Sequence, residues 1–172
     1  MNDLRYPIGP YKESLPSDAS ARLKLLSELV DAPNRLQAAV ADLSESQLDM
    51  SYRPGGWTVK QVVHHLADAH MNWYIRTKFA LTEESPVIQP YDEARWAELN
   101  DARTAPLGQS LMLMDGLTQR WVRLLRSLSE QEWKCKIVHP ERGVMTLDAI
   151  LPLITWHAKH HIAHIVSLRT RI

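Results

Sequence analysis

The sequence predicts an all-α fold, a four-helix bundle with an extended N-terminal arm and short connecting helices. Three observations carry this: four long stretches repeat apolar residues at helical spacing, helix-start signals stand before them, and strand-like alternation is scarce. The opening run Tyr6-Pro7-Ile8-Gly9-Pro10-Tyr11 holds too much Pro and Gly for regular structure and is expected to lie as an arm across the body. From Ser17, a good N-cap, Leu23, Leu26, Leu29 and Val30 recur at helical spacing. Pro33 marks a break before Leu36, Ala39, Val40 and Leu43 resume the pattern. Ser44 to Gln47 reads as a capping box on a short turn.

Pro54-Gly55-Gly56 halts the chain, and Thr58 with Gln61 three residues later starts a helix running to about Leu81. Ser85-Pro86 ends it. A polar connection through Tyr91, Asp92 and Trp96 leads to a third long helix, roughly Leu107 to Leu128, with Leu111, Met114, Leu117, Trp121, Leu124, Leu125 and Leu128 on one face. Ser129 to Glu132 caps a further turn, and the stretch 133–145, with Pro140 and Gly143 inside it, fits either a hairpin or an irregular loop. Thr146 opens a last helix that reaches Ile172, where Pro152 predicts a kink or a start delayed toward Leu151.

Bulk properties narrow the function. The 172 residues, 45% hydrophobic and 23% charged, suit a single domain spanning 1–172 with a sizeable core. Lys plus Arg balance Asp plus Glu at 20 each, so no net field draws the chain to nucleic acid or an anionic membrane. The N-terminus shows no apolar signal region and no run approaches the ~20 residues of a membrane span, which points to the cytoplasm. Cys135, the only cysteine, excludes an internal disulfide and any thiolate cluster, so a bound metal must be held by nitrogen and oxygen.

Histidine is the residue in excess. Seven of the eight fall in two predicted helices, as His64-His65 and His70 in one and His157, His160, His161 and His164 in the other. At about 100° per residue, Leu147, Ile150, Ile154, Ile165 and Leu168 share one side of the last helix, and His157 and His161 lie inside that stripe. Residues four apart stack on a helix, so this pair offers two imidazole nitrogens to one ion. His160 and His164 form a second such pair, about 60° round toward the stripe's edge, and rank behind the first. On the earlier helix Val62, Leu66, Ala69, Trp73 and Ala80 define the buried side. His65 borders it, while His64 points nearly opposite, in line with Lys60 and Asp68. Three neutral imidazoles leave coordination positions open for water or substrate, as catalytic sites do, with zinc the first expectation and nickel a second.

A lone histidine on an apolar face is ordinarily a core residue bonded to backbone; three converging on one point are better explained by a shared cation. Asp68 reads as a solvated carboxylate, with an alternative role as an acceptor that orients an imidazole or as a proton carrier. His139 reads as part of a surface turn, Cys135 as an incidental thiol, and the tryptophans as core and interface anchors. His64, Asp68 and His160 are the candidates for relaying protons.

The arm Tyr6-Pro7-Ile8-Gly9, the turn Gly55-Gly56-Trp57-Thr58, the run Gln61 to Asp68, the segment Pro90-Tyr91-Asp92-Glu93 and the stretch Trp156 to His164 together resemble the DinB/YfiT superfamily, most closely its YfiT-type metal-dependent hydrolases. Carried over by position, the family's ligand before Leu-Ala falls on His65, and its last-helix pair on His157 and His161. The resemblance implies a four-helix bundle, usually a homodimer, with one zinc or nickel ion per chain. It implies either of two chemistries on a small-molecule substrate. In a hydrolase the metal lowers the pKa of a bound water toward ~7; in a thiol S-transferase of the bacillithiol, mycothiol or glutathione type it holds a thiolate. A non-enzymatic dimeric metal-binding protein is the remaining alternative.

Overall fold

The computed structural model describes residues 3–172. Four long helices carry it: α1 (Ala19–Val40), α3 (Val59–Thr82), α6 (Leu107–Arg126) and α7 (Leu147–Arg169), with short helices α2 (Glu45–Leu48), α4 (Glu93–Trp96) and α5 (Asn100–Thr104) in the connections. They pack as a ring in which α1 touches α6 and α7, and α3 touches the same two. No helix of the described residues is long and apolar enough to cross a membrane.

The start signals act as the sequence says at three places. Thr58 Oγ1 accepts the Gln61 amide at 3.2 Å while Gln61 Oε1 accepts the Thr58 amide at 2.9 Å, a reciprocal cap that fixes where α3 begins. Ser44 and Gln47 do the same for α2, and Thr146 caps α7 through the Ala149 amide. At α1 the cap is Asp18 rather than Ser17, because the Asp18 carboxylate accepts the Ala21 amide at 2.8 Å and Ser17 merely donates to Asp18.

Neither Pro33 nor Pro152 bounds a helix. The sequence predicts a break at Pro33, yet α1 runs through it unbroken. A mid-helix proline costs about 3 kcal/mol or more, but Leu26, Leu29 and Leu36 on the same face are fully sequestered, and each such leucine returns roughly 1.5–3 kcal/mol. Pro152 does not delay α7, which starts five residues earlier. The third long helix stops at Arg126, two residues short of expectation, where Ser127 turns the chain by donating its hydroxyl to the Leu124 carbonyl.

The segment left open between hairpin and loop is a hairpin. Strand β1 (Lys136–His139) pairs antiparallel with β2 (Gly143–Thr146) in the register Lys136↔Thr146 to His139↔Gly143, and Gly143 closes the turn at φ +73°, a conformation glycine adopts without penalty. The hairpin also clasps the chain leaving α3, since Ile88 donates to the Val138 carbonyl and Val138 to that of Pro86. Buried apolar residues form two clusters. One gathers Leu36, Val62, Leu66, Met114 and Ile165, the other Leu29, Trp121, Ile137, Leu147 and Ile154. On α7 the change from one cluster to the other falls between Ile154 and Ala158, where His157 stands.

Candidate metal centre

His65 comes from the second turn of α3, and His157 and His161 from consecutive turns near the middle of α7. One ring nitrogen of each lies within 4.8 Å of the others. The His65 and His157 Nε2 atoms face each other at 3.2 Å, and the three ring centroids stand 4.5–5.2 Å apart. Trp57, held by the turn before α3, lies on the His65 ring at 4.6 Å and on His161 at 6.0 Å, roofing the cluster. That turn needs Gly55, whose φ is +66°.

Burial sets the protonation state. His65 is drawn down to about 4, and His157 and His161 fall well below the usual histidine range, in each case chiefly because charging a buried imidazole loses its hydration. All three are therefore neutral at pH 7, the form that ligates metal. As protein alone, the cluster is poorly satisfied. The contact between His65 and His157 is the only hydrogen bond its rings make among the described residues, and the Nδ1 atoms of His157 and His161 are buried without partners. Three neutral, converging nitrogen donors with incomplete bonding fit a divalent transition ion held by imidazoles.

The triad stands at the junction of two cavities. One is lined by His65 and His157 together with Trp73, Arg76, Tyr91 and His139. The other runs from the same two histidines past His160, His161 and His164 to Tyr6, Tyr52 and Arg53. The N-terminal arm closes this second side, as expected of it: the Arg5 carbonyl meets His164 Nε2 at 3.2 Å, and Tyr6 lies 5.9 Å from the His160 ring.

The three proton-relay candidates separate. His160 lines the second cavity, buried, with its Nδ1 unpartnered and its pKa pulled to about 4. Helical phase turns His64 away from the buried side of α3, but the segment from α5 to α6 covers that outer side, and the ring is buried between Ser110 Oγ at 2.8 Å and the Ala105 carbonyl at 3.2 Å. Asp68 is not the solvated carboxylate expected of it. It is partly buried, and loss of hydration, with Asp101 adding like charge, raises its pKa to about 6. Neither His64 nor Asp68 lines the two cavities.

His139 also corrects the reading as a surface turn. It ends β1, is buried, and stacks on Trp73 at 6.4 Å beside the triad. Among the cavity residues that sequence reasoning missed, Arg76 is the buried charge. Val62, Leu66, Ala69, Trp73 and Ala80 leave a gap in the buried stripe of α3, and the spacing fills it with Arg76, a charged residue 6% exposed. A charge at a stripe position was the available signal.

The model of the DinB superfamily matches residues 28–165. Proteins from Bacillus cereus and from Bacillus thuringiensis subsp. konkukian, each named "putative metal-dependent hydrolase", are 49% identical over 172 residues, covering 100% of this chain and 99% of each relative. Among solved structures, YfiT from Bacillus subtilis, described as a probable metal-dependent hydrolase with an unusual four-helix bundle topology, superposes with a TM-score of 0.95 at 49% identity. The superposition covers 98% of this chain and 97% of that one. With the family model spanning most of the chain and near-half identity sustained from end to end, this protein belongs to the DinB superfamily.

Proposed function

We propose that the protein is a metal-dependent hydrolase of a small-molecule substrate, with His65, His157 and His161 holding one divalent ion, zinc before nickel. The convergence of three neutral ring nitrogens within 4.8 Å, between two cavities, carries this reading, and the names of the relatives support it. When bound, such an ion acts as a Lewis acid and brings the ionisation of water near neutral pH. The protein's own residues do the rest. Burial keeps the imidazoles unprotonated, and Trp57 and the N-terminal arm restrict water on one side. His160, which lines the second cavity beside the triad, takes the proton in this reading. His64 and Asp68 are left only a longer-range part in any relay.

The same reading takes the chain as a cytoplasmic homodimer, and light scattering of the purified protein tests the dimer. The reaction class is tested by offering zinc-loaded protein chromogenic esters and amides, and separately a low-molecular-weight thiol with a chromogenic electrophile. Zinc-dependent cleavage is expected. Zinc-dependent thiol conjugation without cleavage would replace the hydrolase by a thiol S-transferase using the same three histidines.

A further inference from the structure

Arg76 is the one strongly basic residue buried in the bundle among the described residues, and its surroundings do not account for it. It lies on the buried stripe of α3, yet among the described residues it forms no ion pair. Its guanidinium stacks over Trp73 at 4.7 Å and stands 5.9 Å from the Tyr91 ring. Its sole hydrogen bond runs from Nη2 to the Gln89 carbonyl at 3.2 Å. A guanidinium carries five N–H donors in a planar fork and stays charged even when buried, so this one holds most of its donors in reserve. None of its nitrogens is sealed in the protein without a partner, and the residue lines the cavity that also meets His65 and His157.

The neighbours on that cavity are donors too. The His139 Nδ1 accepts the Glu141 amide at 3.2 Å, which leaves its proton on Nε2, and the Tyr91 phenol, with burial raising its pKa to about 12, keeps its hydrogen. Glu93 and Glu141 also border the cavity, but both are exposed at its mouth, where water screens them, and Arg142 stands there with them. Asp68 acts on Tyr91 by like charge but forms no ion pair with Arg76, so this part of the cavity is a set of donors around a buried cation that no carboxylate pairs with, which costs stability unless something supplies an anion.

We propose that this part of the cavity is the subsite for an oxyanion on the substrate, a carboxylate or phosphate received by Arg76, with His139 and Tyr91 beside it, while the reacting group lies at the triad. The inference rests on the hydrolase reading and deepens it by naming the substrate class. Arg76 follows His65 by eleven residues, about 16 Å along the helix axis, and its guanidinium lies over Trp73 on the same cavity, so the fork and the triad stand apart along it. The substrate is accordingly elongated, with its anionic group several bonds from the group attacked. A planar carboxylate or a phosphate takes the guanidinium in paired hydrogen bonds, which neutral substrates lack.

Calorimetric titration of the full chain with succinate, inorganic phosphate and neutral succinamide tests this, in zinc-loaded wild type, in Arg76→Gln, in Arg76→Lys and in the metal-depleted His161→Ala. At least one of the two anions is expected to bind wild type tenfold or more tightly than succinamide, and which one names the oxyanion. That preference should vanish in Arg76→Gln, weaken in Arg76→Lys and survive in His161→Ala. Equal binding of anions and succinamide by wild type, which needs no variant to fold, would overturn the proposal. So would a preference undiminished in Arg76→Gln, or one lost in His161→Ala, since the anion would then be bound by the metal. Failure of the metal reading shows separately, as wild type that binds no zinc.

Discussion

Helix α7 carries two histidine pairs at the same spacing, His157 with His161 and His160 with His164, and they end in different surroundings. All four rings have an Nδ1 buried without a partner, and in all four the pKa is lowered chiefly by burial. The first pair faces His65 across the helix interface. The second faces aromatic and backbone groups instead: Tyr52 stacks on His164 at 3.9 Å, Tyr6 approaches His160, and the Arg5 carbonyl accepts a hydrogen bond from His164 Nε2. Spacing of four thus makes a pair, and what the neighbouring elements bring to it decides whether the pair can hold an ion.

The sharpest way to break that contrast is to remove the rings one at a time. Alanine at His65, His157 or His161 should weaken zinc binding on the order of a hundredfold or more, whereas alanine at His160, His164 or His64 should leave one zinc per chain. Competitive titration with a chromophoric chelator reads both. Equal losses from the two pairs would erase the distinction.

Acid probes the burial the two pairs share. In metal-free protein the folded-state pKa of His65 is about 4 and that of the fully buried His70 about 3, both below the unfolded value near 6.5. Below pH 6.5 the unfolded chain therefore takes up protons that the folded chain refuses, so stability present at pH 7 is lost as pH falls toward 4. Each such histidine contributes roughly 2 kcal/mol of loss between pH 7 and 5. Asp68, held near 6 when folded, works in the opposite direction and offsets part of it. Urea unfolding at the two pH values should show a net loss; unchanged stability would mean the rings are solvated.

The smallest effect concerns the second pair alone. Tyr52→Leu removes the ring stacked on His164 and should cost about 1 kcal/mol in thermal or urea unfolding without changing zinc affinity. A change in zinc affinity would tie the two pairs together.

Much of this is legible in the sequence because it rests on local rules. The capping boxes at Ser44 and Thr58 fix where helices begin, and the phase of α7 picks out His157 and His161. What is not legible depends on elements distant in sequence. Whether His64 and Asp68 meet water is decided by the segment from α5 to α6, which helical phase on α3 does not see. Pro33 stays helical because α6 and α7 bury its neighbours. His139 is buried because it lies on a hairpin that folds beside the triad, and the stripe position of Arg76 on α3 does not by itself show that it borders a cavity.

Anomalous diffraction at the zinc edge from zinc-loaded crystals is the most direct test of the centre. One strong peak per chain is expected, bonded to His65, His157 and His161 at about 2.0–2.1 Å with at least one position left to solvent. A peak on His160 and His164, a closed shell of four protein ligands, or no peak at the triad would contradict this.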